Sequence, residues 1–409
     1  MFESLRHRNF RLLWIGSIFS YGGHWVQQAT LGWVAYELTG SGSILGLILG
    51  IRAIPILLLA PVSGAAADRF NRRNLLAGTQ LIYMLTTTAI GAAIFLHVLK
   101  TWHLFAYVLC TGVAHVFDRT ARQAIVSDLV PAGSIVNAVA LANIVFSLMR
   151  VISPAIAGYL LAWVGAAGNF FTQCLFYLLG MLTLLFIQAP VRIPRISKGS
   201  AWSNISAGMR YVMNDPTMRV VVLFNAIPFL LLTPIWSTLL PVFAQDVFKA
   251  GPQALGWLFA AVGSGGLAGG LLSAAWTHRD RVGWVQIGMH GLFCLSLLGV
   301  SLAPSLPVAL PFVFLAGVAE IMTATVGQTV LQVAAPPDLR GRVLSILQLN
   351  PALISLGSVV AGVGSDLLGA RGIAAANGLL ALAIGALIAW KSPRLRNLRL
   401  SHYTRRPES

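Results

Sequence analysis

Charged residues are scarce in this sequence of 409 residues. Only 10% of the residues are Asp, Glu, Lys or Arg, whereas a soluble globular domain has about 25%. Hydrophobic residues make up 57%. A soluble fold of this length would leave much of that apolar surface in water, because even large domains expose a considerable fraction of their surface. The composition therefore predicts an all-α integral membrane protein.

Acids are scarcer than bases, 12 against 28, which gives a formal net charge of +16. The Lys and Arg residues lie mostly in short loops between apolar runs, as expected for the cytoplasmic loops of a membrane protein, so we expect no nucleic-acid partner. The three cysteines lie far apart in apolar runs and lack metal-ligand spacing. We interpret Cys110, Cys174 and Cys294 as buried small hydrophobic residues, and we expect no metal site.

Motifs of ATP-dependent and hydrolytic proteins are missing. The sequence has no GxxxxGK[ST] phosphate loop, no HExxH and no GxSxG, so we expect neither direct use of ATP, nor an enzyme with catalytic residues, nor a cofactor.

Apolar runs of about 20 residues, bounded by charges and turn residues, predict transmembrane helices. The basic N-terminus leads into one such run without a cleavage site, and we interpret that run as a retained span rather than a signal peptide. Twelve runs are present: 10–36, 44–66, 74–97, 102–126, 136–161, 167–188, 219–243, 253–276, 284–303, 306–333, 343–366 and 372–390.

The distribution of basic residues predicts the orientation. With the N-terminus inside, nearly all loop Lys and Arg residues fall on the cytoplasmic side, and only Lys100, Lys249 and Arg371 fall outside. We therefore expect a multi-pass protein of the cytoplasmic (inner) membrane of a bacterium, with both termini in the cytoplasm.

A long connection divides the chain into two halves of six spans. We predict an N-terminal bundle (1–188), a cytoplasmic linker with an amphipathic helix on the membrane interface (189–218), a C-terminal bundle (219–391) and a basic cytoplasmic tail (392–409). The halves share a pattern, since Ala157-Gly158, Gly165 and Gly168 recur 204 residues later. Parallel duplication of six-span units is typical of one large class of transporters.

The loop between spans two and three carries the sharpest motif, GAAADRFNRR at 64–73. Gly64 allows close helix packing, and Asp68 can interact with the N-terminus of a neighbouring helix. Arg69, Arg72 and Arg73 can pair with facing carboxylates and hold the cytoplasmic side closed. A purely topological role explains the arginines but not Gly64 and Asp68, so we favour a gating loop.

This loop resembles the signature of the major facilitator superfamily. The rest of the chain resembles its bacterial efflux branch, which includes the enterobactin exporter and the macrolide efflux proteins. The resemblance implies twelve helices in two pseudo-symmetric six-helix bundles and export driven by a proton gradient. Where the superfamily often has Gly, this loop has Asn71, which tolerates a left-handed turn. The matching segments are HRNFRLLWIGSIFS, GHWVQQATLGWVAYELTGS, GAAADRFNRRNLL, FDRTARQAIVSDLVP, RVISPAIAG and LRGRVLSI.

Charges inside a bilayer are costly and indicate function. Asp118 and Arg122 are spaced so that they can form an ion pair within one helix. This pair is either purely structural or, as the resemblance implies, has a role in closing the transporter or in coupling transport.

Four residues fall nearer the bilayer midplane: His24, Arg52, Arg150 and Glu320. Arg150 needs an acidic partner or an anionic substrate, because arginine is not neutralised in proteins. A lone histidine such as His24 is more often a core residue than a proton site. Glu320 is the only acid well inside the second half, so we expect it to carry the coupling proton; the alternative is a static Arg–Glu pair.

Proline and glycine predict bending in two spans. Pro154 and Gly158 lie in the fifth span, and Pro228 and Pro234 lie in the seventh.

Together these features predict a secondary transporter that works by alternating access, most simply a proton-coupled exporter of a small amphiphilic drug or siderophore-like metabolite. The expected partners are this substrate, protons and the lipid bilayer, and we expect a monomer. The ionisable residues within the spans carry a net positive charge, which slightly favours anionic or zwitterionic substrates. The alternatives are a lipid or lysolipid flippase and a non-transporting membrane receptor.

Overall fold

The computed structural model describes residues 3–188, 201–276, 280–336 and 339–401. Within these ranges the regular structure is helical. The helices of the first half are α1 (Arg8–Thr39), α2 (Gly42–Gly50), α3 (Ala53–Arg69), α4 (Arg72–Phe95), α5 (Thr101–Val126) and α6 (Ile135–Leu185). Next come α7 (Ala201–Asn214), α8 (Pro216–Ile227), α9 (Pro234–Val242), α10 (Gly251–Trp276), α11 (Val282–Leu302), α12 (Leu306–Ala334), α13 (Arg340–Ser345), α14 (Asn350–Lys391) and α15 (Pro393–Arg396).

Eight helical segments of the described chain are long and apolar enough to cross a bilayer. Two of them, α6 and α14, each contain two predicted spans, and a single glycine in a left-handed conformation separates those spans. Gly165 has a φ of 69° and Gly369 has a φ of 73°, which glycine adopts at no steric cost. The eight segments therefore account for ten of the predicted spans. The more polar helices α1 and α5 account for the other two, which confirms the predicted twelve-span, all-α fold.

The second and seventh predicted spans are interrupted. A turn at residues 51–52 divides the second span into α2 and α3. The seventh span passes from α8 into a π-helical segment, Pro228–Leu232, and restarts as α9 at Pro234. Prolines lack the N–H that a regular helix needs, which accounts for the irregular hydrogen bonding there. Pro154, by contrast, lies within continuous helix, and the only non-helical residue of α6 is Gly165.

Local capping fixes where helices begin. The Asp215 carboxylate accepts hydrogen bonds from the backbone N–H groups of Thr217 (2.8 Å) and Met218 (2.9 Å), and Pro216 occupies the first turn of α8. Asn71 caps α4 in the same way, accepting from the N–H of Arg73 at 3.0 Å. Its φ is −64°, so Asn71 does not adopt a left-handed conformation here and acts as a helix cap instead.

The predicted linker, residues 189–218, is described only in part. Residues 189–200 lie outside the described residues, but α7 is present. Val212 is buried with Val221, Leu331 and Val343, so part of the apolar face of α7 packs on protein.

Cys110 is exposed rather than buried, because an apolar side chain on a membrane helix is stable when it faces lipid.

The chain divides into two compact units. The first contains Met1–Gly40, Ile51–Ala201 and Gly251–Ala260, and the second contains Ser41–Gly50, Trp202–Ala250 and Ala261–Ser409. Each unit therefore includes a short segment from the other half of the sequence. The predicted domain boundaries remain a prediction.

Candidate functional site

The predicted gating loop is organised by Arg72. Its guanidinium donates to the carbonyl oxygens of Ala67 (3.0 Å) and Ala124 (2.6 Å) and to the Asp128 carboxylate (2.8 Å). Asp68 lies 3.6 Å from the same guanidinium. Because these acceptors come from the ends of α3 and α5 and from the turn after α5, one side chain joins three spans of the first unit. Sequence reasoning missed Asp128, although it lies in the matching segment FDRTARQAIVSDLVP.

The other loop residues are placed differently. Arg73 donates to the carbonyl oxygen of Leu185 at 2.9 Å, and Arg69 is exposed. A Cβ atom at Gly64 would meet no atom within 4 Å, so the close packing expected at Gly64 is absent from this conformation.

Asp118 and Arg122 form the predicted intrahelical pair. Arg122 donates to both carboxylate oxygens, at 2.8 and 3.1 Å, and to the Ser17 hydroxyl at 3.0 Å. Thr79 and Gln80 donate to Asp118 from α4 at 3.2 and 3.1 Å. Arg122 is only 4% exposed. Such a bidentate, hydrogen-bonded pair joins α1, α4 and α5 and is neutral as a whole.

A basic cluster lies in the same unit and consists of Arg52, Arg119, His24 and His115. The imidazole rings of His24 and His115 stack with their centroids 5.0 Å apart. Arg52 follows α2, and its guanidinium donates to the Gln28 side-chain oxygen at 3.3 Å. Sequence reasoning missed His115, whose signal is its position one turn before Asp118 on α5.

Arg150 and Glu320 lie in different units. The Arg150 guanidinium carbon lies 5.6 Å from the centroid of the Trp25 ring, a cation–π arrangement. Glu320, on α12, is 8% exposed, and its carboxylate accepts the indole N–H of Trp236 at 3.2 Å. The Trp236 ring also stacks on Phe293.

Small residues bring helices into backbone contact within each unit. A Cβ atom at Gly158 would lie 2.9 Å from the Cα of Gly256. Gly362 lies 204 residues after Gly158 in the sequence, and a Cβ atom at Gly362 would lie 2.8 Å from the Cα of Gly46. In the first case α6 meets the start of α10, and in the second α14 meets α2. Gly158 thus serves close packing.

Many spanning helices, two compact units and ionisable side chains within the spans define a multi-pass membrane transporter. The chain belongs to the transmembrane secretion effector family of the major facilitator superfamily, whose profile matches residues 1–405.

Individual relatives and a solved structure agree with this membership. The chain is 25% identical to the multidrug efflux pump Tap of Mycolicibacterium fortuitum, over 95% of this chain and 97% of the relative. It is 26% identical to the staphyloferrin A transporter of Staphylococcus aureus, over 85% and 87% of the two chains. The fold is similar to that of a bacterial homologue of the human lysosomal transporter Spinster, with a TM-score of 0.75, 17% identity, and coverage of 95% of this chain and 98% of that one.

Proposed function

We propose that this protein is a proton-coupled exporter of a small amphiphilic compound that works by alternating access between its two bundles. It acts in the cytoplasmic membrane of a bacterium, as a monomer with both termini inside. The relatives named above as a multidrug efflux pump and a siderophore transporter support export of a drug or of a siderophore-like metabolite.

The observation that carries the coupling proposal is the setting of Glu320. An acidic side chain that is only 8% exposed on a membrane helix is costly to keep there and indicates a functional position. Its hydrogen bond with Trp236 places it beside α9, in the span with the π-helical segment. Movement of that irregular span would change the access of water to Glu320.

The second part of the proposal concerns the gating loop between α3 and α4. Arg72 holds the loop between α3 and α4 against the end of α5, and Gly64 has room for a neighbour. We assign the loop to closing the cytoplasmic side, with the paired Asp118 and Arg122 as its rigid support.

The first experiment identifies the substrate. A deletion strain and an overproducing strain are compared on a panel of toxic compounds and for their secreted metabolites. Export predicts opposite changes in tolerance or secretion in the two strains. If neither changes, export is wrong; transfer of labelled lipid between leaflets of liposomes by the purified protein would point instead to a flippase.

The second experiment tests coupling. Glu320→Gln keeps a hydrogen-bond acceptor for Trp236 but removes the carboxyl group proposed to carry the proton. In proteoliposomes, its transport of the compound identified above is expected to lose its dependence on an imposed pH gradient. Glu37→Gln, at an exposed glutamate near the end of α1, is the matched control. A Glu320→Gln protein that still responds fully to the pH gradient rules out this residue as the proton carrier.

A further inference from the structure

The neighbourhood of the basic cluster holds many hydrogen-bond donors and few acceptors. Arg52 makes no ion pair with a carboxylate of the described chain, and it donates instead to a neutral amide, that of Gln28. The same holds for Arg119, which also makes no ion pair within the described ranges. The nearby acid Asp118 is already occupied by Arg122, Thr79 and Gln80.

The cluster has a definite location. Arg52 packs over α5, where a Cβ atom at Gly112 would lie 3.5 Å from the Arg52 Cγ atom. On α5, Gly112 lies one turn before His115 and Arg119 lies one turn after it, and the His115 ring stacks on His24. All four side chains remain partly accessible. Since guanidinium groups are not stable against hydrocarbon, we expect the accessible side of Arg52 and Arg119 to face polar groups or water rather than lipid.

Two buried donors in this neighbourhood lack partners. Tyr107, on α5, is 3% exposed, and its hydroxyl has no hydrogen-bond partner in the described structure. The indole nitrogen of Trp25, next to His24, is likewise buried without a partner there. Native proteins rarely leave such groups unsatisfied. A bound group that accepts hydrogen bonds and carries negative charge would satisfy these donors and pair with Arg52.

We infer that the basic cluster binds the anionic group of the transported compound, with Arg52 as the principal ligand and the Trp25 indole N–H and the Tyr107 hydroxyl as further donors. The inference rests on the proposed export function and narrows its substrate class. The planar fork of arginine suits a carboxylate or sulfonate, both of which accept two parallel hydrogen bonds. The imidazoles of His24 and His115 supply further donors.

Two probes that differ by one anionic group test this inference. 1-Anilinonaphthalene-8-sulfonate carries a sulfonate, and N-phenyl-1-naphthylamine has the same rings without it. Binding of each to the full-length protein in detergent is measured by calorimetry against protein-free micelles. We expect the sulfonate to bind more tightly. Arg52→Gln is expected to weaken sulfonate binding by about 10-fold or more, the range for a hydrogen bond between charged groups, and to leave the neutral probe unchanged.

Controls separate this result from misfolding and from failure of the transport proposal. Arg11→Gln changes the net charge equally at an exposed site and should bind both probes like the wild type. Arg52→Lys should restore part of the sulfonate affinity, and Arg119→Gln should show a smaller loss than Arg52→Gln. Equal sulfonate affinity in wild type and Arg52→Gln, or equal affinity of the wild type for the two probes, overturns the inference. Either of these outcomes would leave the proposed transport of neutral compounds intact. A wild-type protein that exports nothing would refute the transport proposal but not the anion-binding inference.

Discussion

The two ends of the second predicted span differ in their packing. In α2, Gly46 lies against backbone of α14, since its Cβ would be 2.5 Å from the Ser358 carbonyl oxygen. At the far end of α3, a Cβ at Gly64 would meet no atom within 4 Å. Both are small residues of the kind that allows close helix approach. A small residue therefore permits a close helix contact, but it does not by itself show that the contact is made.

A carboxylate completes the contact at the α2 end. Asp366, on α14, accepts the backbone N–H groups of Gly42 (2.7 Å) and Ser43 (3.0 Å) and the Ser41 hydroxyl (2.7 Å). It thus caps the N-terminus of α2 from another helix, where negative charge is favoured. The loop end holds its own carboxylates, Asp68 and Asp128, against Arg72 instead.

The largest expected effect comes from Gly46→Ala. A methyl group there collides with backbone that has little freedom to move, at a cost of about 1–3 kcal/mol, so α2 should separate from α14. The reporter is a cysteine at Ile48, which is 0% exposed, in a variant whose native cysteines are replaced. Its rate of reaction with N-ethylmaleimide should rise about 10-fold.

Gly78→Ala is the matched control: unlike a Cβ at Gly46, a Cβ at Gly78 would meet no atom of the described chain within 4 Å. An unchanged labelling rate in Gly46→Ala would mean that the tight contact does not hold α2 in place.

A smaller effect is expected from Asp366→Ala. Losing a cap costs about 1 kcal/mol, which corresponds to roughly five-fold faster labelling of the same cysteine. Asp366→Asn keeps one acceptor oxygen and should fall between the wild type and Asp366→Ala. Identical labelling in all three proteins would show that the glycine contacts alone hold α2.

The smallest effect on stability is expected from Gly64→Ala. The new methyl group meets open space, and alanine is favoured over glycine in helices by up to about 1 kcal/mol, so the melting temperature in detergent should not fall. Transport should fall nonetheless if the loop closes against a neighbour in another conformation. Full transport by this variant would refute the gating role of Gly64.

Sequence patterns predicted the helices better than the contacts. Apolar runs place spans reliably because the bilayer thickness fixes their length, and the Asp118–Arg122 pair follows from helical spacing. Asp128 and Asp366 were missed because their partners are 56 and more than 320 residues away in sequence. The turns at Gly165 and Gly369 were marked by a repeated glycine pattern, but nothing in one sequence says that the helix runs on to either side.

Those two turns affect how the protein can be engineered. Since Gly165 and Gly369 are the only non-helical residues within α6 and α14, the paired spans have no loop between them to receive an epitope tag, a protease site or a fused reporter. An insertion after Gly165 or Gly369 would interrupt a helix instead of lengthening a connection. Probes of topology are better placed at turns that already have several residues, such as the one around Lys100.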